Sequence, residues 1–137
     1  MEAVAECLIP TDQDPGARQT GVLRYIDAQL TRKYKDLQTA YRTNLANLDR
    51  AAGKPFAELS PDDQTALLAS LEKGQGDKAI WGADGGRVAF EMWLAHTQQG
   101  YYASPRHGGN RDYASWRMLG IPPVPVRGRL HYDGRPS

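Results

Sequence analysis

Apolar residues recur at three- and four-residue intervals along most of this chain, which is the spacing that lines one face of an α-helix. The spacing predicts helices over residues 2–9, 22–30, about 31–52, 61–73 and 87–99. No stretch alternates between apolar and polar residues for long enough to predict a β-strand. We therefore expect an all-α fold, a compact bundle of about five helices. The last helix is apolar on almost every side, which is typical of a helix at the centre of a bundle.

Capping and helix-breaking residues predict where these helices begin and end. The run Ser60-Pro61-Asp62-Asp63 supplies a serine N-cap, a proline at the first helical position and two acids that complement the helix dipole. Gly53 stands where a C-cap glycine belongs. Five glycines between Gly74 and Gly86 predict a flexible, irregular loop before the last long helix.

The prolines that follow residue 121 divide the chain into two parts. We expect a helical domain over residues 1–122 and an extended, proline-rich C-terminal tail over residues 123–137. A chain of 137 residues can bury one hydrophobic core without disulfides. Its single cysteine, Cys7, excludes an internal disulfide. We interpret it as a helix-packing residue, with a disulfide to a partner chain as the alternative.

The charge balance excludes two classes of partner. Seventeen basic residues against sixteen acidic ones give a net charge of +1, whereas nucleic acids and anionic membranes favour a concentrated basic face.

No window approaches the roughly 18 apolar residues that a membrane span requires. The N-terminus lacks the basic start and apolar run of a secretory signal. We expect either a cytoplasmic protein or a mature form from which a signal has been removed.

The stretch from Gly100 to Gly120, GYYASPRHGGNRDYASWRMLG, is the densest in residues with special backbone or polar roles. Gly108-Gly109 allow a positive φ or a close backbone approach. The Asn-Arg-Asp run at 110–112 can lock a tight loop through bonds from side chain to backbone. The pattern predicts a rigid recognition or structural loop, followed by a short helix that carries Trp116. Its aromatic residues suit a protein interface, with packing at helix ends as the alternative.

The sequence contains few candidates for catalysis or metal binding. Its three histidines share no metal-ligand spacing, and no HExxH or Cys-x-x-Cys pattern occurs. We interpret His96, on the central helix, as a hydrogen-bonded structural residue. His107 is interpreted as a loop-packing residue, because no serine or cysteine elbow accompanies it. Gly108-Gly109 belong to no nucleotide-binding motif, so we expect no cofactor in this chain itself.

Three segments of the chain together carry a resemblance to a known family. The first is Leu8-Ile9-Pro10-Thr11-Asp12 with Pro15-Gly16-Ala17, leading through Gly21-Val22 to Tyr25-Ile26-Asp27. The second is the connector from Lys54-Pro55-Phe56 to Leu59-Ser60-Pro61. The third and most specific is Gly100-Tyr101-Tyr102, Ser104-Pro105, Gly108-Gly109-Asn110-Arg111-Asp112 and Trp116-Arg117 to Gly120. In this order and at these spacings, the segments resemble the gluconate 2-dehydrogenase subunit 3 family, the small subunits of periplasmic flavin-dependent sugar dehydrogenases. The resemblance spans most of residues 4–122.

The resemblance implies a helical protein without catalytic residues of its own. It implies binding to a large FAD-dependent subunit of the glucose-methanol-choline oxidoreductase type, often with a cytochrome c subunit as electron acceptor. FAD is thus expected in the partner subunit. Family members usually carry a twin-arginine signal and are thought to help the large subunit to mature and cross the membrane. Periplasmic localisation follows from the resemblance, although this chain lacks that signal. Relatives serve the oxidation of gluconate, glucose, fructose and the 3-position of glycosides.

The third motif supplies the candidate site. We hypothesise that its members either form the surface that binds the large subunit or brace that surface. The candidates are Tyr101, Tyr102, Arg106, His107, Gly108, Gly109, Asn110, Arg111, Asp112 and Trp116. Arg111 is expected to pair with an acid, either Asp112 or a carboxylate of the partner, given the fork geometry of arginine.

Two other functions are considered. A small hydrolase using His107 with Asp112 would turn over substrate as an isolated chain and would have a deep polar pocket at the loop. A free-standing helical ligand-binding domain would be a stable monomer that buries its aromatic residues. An accessory subunit would instead expose an apolar patch larger than soluble monomers usually tolerate.

Overall fold

The computed structural model describes residues 1–122, and the predicted tail over residues 123–137 lies outside the described residues. Within the described part the fold is all-α, as predicted, and contains no β-strand. Its α-helices are α1 (Glu2–Leu8), α2 (Ala17–Thr20), α3 (Val22–Leu30), α4 (Gln38–Ala52), α5 (Pro61–Glu72), α6 (Lys78–Trp81), α7 (Arg87–Tyr102) and α8 (Ala114–Met118). The longer helices α1, α3, α4, α5 and α7 correspond to the five that the sequence predicts. None of the helices in residues 1–122 is both long and apolar enough to cross a membrane.

Two of the predicted helix ends are confirmed. Ser60 caps α5, because its hydroxyl oxygen accepts a hydrogen bond from the backbone N–H of Asp63 at 3.2 Å, and Pro61 takes the first helical position. Gly53 ends α4 in the left-handed conformation, with φ of 73°. Helix ends leave backbone groups without partners inside the helix, and the Ser60 cap satisfies one of them.

The prediction of a helix from about residue 31 to 52 is wrong about where that helix begins. α3 ends at Leu30, a 3-10 turn spans Lys35–Leu37, and α4 begins at Gln38. The side chain of Gln38 donates from Nε2 to the backbone carbonyl of Leu30 at 2.7 Å. This bond ties the end of one helix to the beginning of the next. It stabilises a bend that the continuous apolar spacing does not reveal.

The glycine-rich segment from 74 to 86 is largely irregular, as predicted, but it contains the short helix α6. The backbone N–H of Gly76 donates to the carbonyl of Gly85 at 2.9 Å and closes the segment. A Cβ atom at Gly86 would lie 2.6 Å from the side chain of Leu71. These glycines therefore allow close packing against the core.

The central helix is α7, as predicted, and it packs against α1, α3 and α5. Trp93 on α7 is completely buried. Nδ1 of His96 lies 2.6 Å from the hydroxyl of Tyr41, and both side chains are buried. The ring of Tyr34 stacks on His96 with 4.4 Å between ring centroids. The interpretation of His96 as a hydrogen-bonded structural residue is confirmed.

Burial lowers the pKa of His96 and makes the stability of the fold depend on pH. Burial also raises the pKa of Tyr41, so its hydroxyl keeps its proton and donates to the neutral imidazole. The unfolded chain binds a proton at this histidine near the ordinary pKa of 6.5, whereas the folded chain resists it. The His96 contribution to the free energy of unfolding is therefore fully present above that value. It is lost progressively as the pH falls through the lowered pKa of His96.

We expect urea unfolding to show a lower free energy of unfolding at about pH 5 than at about pH 7. His96→Gln should destabilise the fold at neutral pH but flatten the pH dependence over this interval, because the titrating group is gone. His107→Gln changes an exposed histidine and should keep the wild-type dependence. A His96→Gln variant that retains the full dependence would contradict the assignment.

Candidate functional site

The two tyrosines of the third motif lie on the last turn of α7. The sequence predicts that this helix ends near residue 99, but it continues to Tyr102. Tyr101 is 2% exposed and donates from its hydroxyl to the backbone carbonyl of Pro15 at 2.7 Å. Burial raises the pKa of Tyr101, so this hydroxyl stays protonated. The bond anchors the additional turn of α7 to the loop between α1 and α2.

That loop, residues 9–16, is itself fixed by one carboxylate. One oxygen of Glu6 accepts hydrogen bonds from the backbone N–H of Thr11 at 2.9 Å and from its hydroxyl at 2.6 Å. The other oxygen accepts from the backbone N–H of Arg18 at 2.8 Å. Desolvation opposes ionisation, but these hydrogen bonds hold the pKa of Glu6 below its ordinary value. The first and third motifs therefore meet in one rigid part of the molecule.

Gly109 packs its backbone directly against the last turns of α7. A side chain at Gly109 would overlap the carbonyl oxygen of Gly100, and a Cβ atom at Gly100 would lie 2.9 Å from the ring of Tyr25. Gly108 has a φ of 103°, which residues with side chains rarely adopt. The Gly-Gly pair thus serves both purposes that the sequence predicts, a positive φ and a close backbone approach.

Asn110 is completely buried and locks the loop. Its Oδ1 accepts from the backbone N–H of Ser115 at 2.9 Å and from its hydroxyl at 2.8 Å, and its Nδ2 donates to the carbonyl of Ala103 at 2.9 Å. Asn110, Asp112 and Tyr113 have φ values of 45°, 55° and 58°. Such strained conformations persist only where the surroundings determine them strongly. Of the side-chain to backbone bonds that the Asn-Arg-Asp run predicts, those of Asn110 are present.

Trp116 braces the end of α7 from the short helix α8, which the sequence predicts. Its indole N–H donates to the backbone carbonyl of Tyr102 at 2.9 Å, and its partly buried ring lies 5.4 Å from the ring of Tyr113. Tyr102 is 43% exposed, and its ring meets that of Tyr101 edge-on at 4.9 Å. Trp116 therefore supports the backbone that presents Tyr102 to solvent.

The candidate residues thus fall into two groups in and around the loop of residues 103–113, which joins α7 to α8 and which we call the braced loop. Those that brace it by burial are Tyr101, Gly109 and Asn110, with the partly buried Gly108 and Trp116. Those that it exposes to solvent are Tyr102, Arg106, His107, Arg111 and Asp112.

Arg111 and Asp112 do not form an ion pair with each other in the structure. The one ion pair that the structure shows within residues 1–122 joins Nε of Arg18 to Oε1 of Glu2 at 3.3 Å. The guanidinium of Arg111 instead lies beside Gly21, where a Cβ atom would be 3.6 Å from it. Of the two acids considered for Arg111, a carboxylate of the partner is the one still open.

The geometry does not assemble the catalytic pair considered for a hydrolase. Nε2 of His107 accepts a hydrogen bond from Nε of Arg106 at 3.2 Å, and within the described residues it makes none with Asp112. The hydroxyl of Ser115, which follows the loop, donates its hydrogen bond to Oδ1 of Asn110 and not to His107. The sulfur of Cys7 lies 3.6 Å from the hydroxyl of Thr65 on α5.

An exposed apolar surface lies beside the braced loop, and the sequence reasoning missed most of it. Tyr102, Met118, Leu119 and Ile121 are 43%, 38%, 54% and 44% exposed, and we call these four residues the apolar corner. Tyr102 and Met118 also line a groove of about 380 Å³ between the loop of residues 9–16 and the end of α7. The other large apolar residue exposed within residues 1–122 is Val88, in the first turn of α7. The sequence feature that indicates this surface is the apolar run from 118 to 121, next to the predicted short helix.

Comparison with known proteins gives a family match that covers this whole domain. A model of the family described as gluconate 2-dehydrogenase subunit 3 matches residues 1–123. No curated protein and no solved structure gives a match. The matched span includes all of the described helices, the braced loop and the apolar corner.

Proposed function

The chain belongs to the gluconate 2-dehydrogenase subunit 3 family, and we propose that it is the non-catalytic small subunit of a flavin-dependent sugar dehydrogenase complex. In this proposal it binds a large subunit of the glucose-methanol-choline oxidoreductase type. It helps that subunit to mature, to remain stable and to be exported to the periplasm. A cytochrome c subunit accepts the electrons. The family supports these roles.

In the proposal, FAD is bound by the large subunit. The glycine pair of this chain follows the 3-10 turn Pro105–His107, whereas a dinucleotide-binding glycine loop follows a strand and opens a helix. Gly109 also packs against the backbone of Gly100, so one of the two glycines is already used for packing within the chain. The loop is therefore better suited to support a protein surface than to cradle a pyrophosphate.

The observation that carries the proposal is the apolar corner beside a loop that is rigidly braced. Interfaces depend on a few aromatic and apolar anchors that are held in place before binding, since ordering them during binding would cost free energy. Tyr102 meets this description, because its backbone is fixed by Trp116 while its ring is 43% exposed. Leu119 and Ile121, which follow Met118 closely in the chain, are exposed as well.

We expect Leu119→Glu to weaken binding of the large subunit at least about 30-fold, because a charge would enter the apolar centre of the interface. Val88→Glu is the matched control, since Val88 is 64% exposed and lies on α7. It is about 21 Å along that helix from Tyr102. Surface plasmon resonance with the purified flavoprotein measures both affinities, and thermal unfolding checks that both variants fold. Wild-type affinity in Leu119→Glu, or an equal loss in Val88→Glu, would contradict this location of the interface.

A further inference from the structure

On another side of the braced loop, three arginines surround a second cleft. The cleft has a volume of about 270 Å³. Its charged side chains are Arg24 from α3 and Arg106, Arg111 and Asp112 from the loop, and Gly108 and Gly109 complete its wall. A Cβ atom at Gly108 would lie 3.5 Å from the backbone carbonyl of Arg24, so the loop packs directly on α3 at this point. We call this feature the arginine cleft.

The arginine cleft keeps an excess of positive charge within the described chain, because three arginines and one acid, Asp112, line it. Over residues 1–122, none of Arg24, Arg106 and Arg111 has a carboxylate oxygen within 4 Å. The side chain of Arg106 donates to His107, which is not an acid. Because the whole chain carries a net charge of +1, three arginines around one cleft do not follow from a generally basic composition.

The backbone of the same loop offers further hydrogen-bond donors. Left-handed conformations at Asn110 and Asp112 flank Arg111, whose φ is not positive. Tyr113 is left-handed as well, with φ of 58°. Neighbouring residues of opposite handedness, such as Arg111 and Asp112, bring their N–H groups together on one side of the chain, an arrangement that binds anions. Within the described residues, the backbone N–H groups of Gly109, Arg111 and Asp112, which line the cleft, have no acceptor. Asn110 is held in this conformation by its buried hydrogen bonds, so the donors are fixed before a ligand arrives.

The charges favour a carboxylate as the ligand. Arginine forks bind carboxylates and phosphates through paired hydrogen bonds. Asp112 lines the same cleft and opposes a group with two negative charges, which disfavours phosphate. A carboxylate carries one charge and is supplied by the aspartate and glutamate side chains of proteins.

We propose that the arginine cleft receives an aspartate or glutamate side chain of the large subunit, as a polar contact beside the apolar corner. This inference rests on the proposed function and adds to it a second, charged contact. Such a contact fixes the orientation of two partners and makes their association dependent on salt. The large subunit would then contact the apolar corner and the arginine cleft at the same time.

The test measures binding of the full chain to the purified flavoprotein at about 50 and 300 mM NaCl, where screening differs strongly. We expect the double variant Arg24→Gln, Arg111→Gln to lower the affinity about 10- to 100-fold at low salt and to lose most of the salt dependence. Arg32→Gln removes one charge just after the same helix α3, and we expect it to stay within about twofold of wild type. Arg24, Arg111 and Arg32 are exposed, so these variants should fold, which thermal unfolding checks.

Three other results would overturn the inference in distinguishable ways. If the wild-type complex forms and the double variant keeps both its affinity and its salt dependence, the carboxylate contact is absent while the proposed function stands. If inorganic phosphate shifts the NMR signals of Gly108 and Gly109 in the isolated chain while the double variant binds normally, the cleft is a small-anion site and not a docking contact. If the wild-type chain forms no complex, the proposed function fails and this inference fails with it.

Discussion

Asn110→Ala is expected to destabilise the domain by about 3–5 kcal/mol, a large part of the stability of a domain of this size. The substitution leaves the backbone N–H of Ser115 and the carbonyl of Ala103 without their partner at a buried position. It also forces alanine into a left-handed conformation with φ of 45°. Thermal unfolding should show a fall in Tm on the order of 10–20 °C.

Two further variants separate the causes of this loss. Asn110→Gly removes the same hydrogen bonds but tolerates the positive φ, so it should lose about 1 kcal/mol less than alanine. Ser115→Ala removes only the bond from the serine hydroxyl to Asn110 and should be the mildest of the three. If Asn110→Ala unfolds with the wild-type Tm, the loop is not locked as described.

The helices could be predicted wherever their signals are local. The capping run at Ser60, the glycine at 53 and the all-round apolar character of α7 each act within a few residues of the chain. The break after Leu30 was predicted. The turn that delays the start of α4 to Gln38 was not, because it depends on a hydrogen bond from Gln38 that forms only when two helices meet. The same holds for the additional turn of α7, which is anchored by a bond from Tyr101 to Pro15.

The candidate loop was predictable as a unit, but the role of each residue in it was not. The sequence marked Asn110 and Tyr102 alike, whereas the structure buries the first and exposes the second. Burial is decided by which face of a turn meets the core, and spacing alone does not give that. Leu119 and Ile121 were missed because they lie outside any predicted helix. Arg24 was missed because it is 80 or more residues before the loop it joins.

The proposed function predicts that the large subunit depends on this chain. A flavoprotein subunit made alone would expose the apolar surface that matches the corner, and binding to a partner stabilises only the folded form. We therefore expect omission of this chain to lower the yield of flavin-loaded, active large subunit by on the order of tenfold. Co-expression with Leu119→Glu should approach this loss, and Val88→Glu should not.

The most direct measurement is expression of the flavoprotein proposed as the large subunit, with and without this chain. Size-exclusion chromatography, flavin absorbance and a dye-linked dehydrogenase assay are then applied to both preparations. We predict that the two proteins elute together, and that flavin content and activity are lost when the chain is omitted. A chain that elutes as a monomer, beside a flavoprotein that is fully loaded and active alone, would contradict the account and favour a free-standing domain.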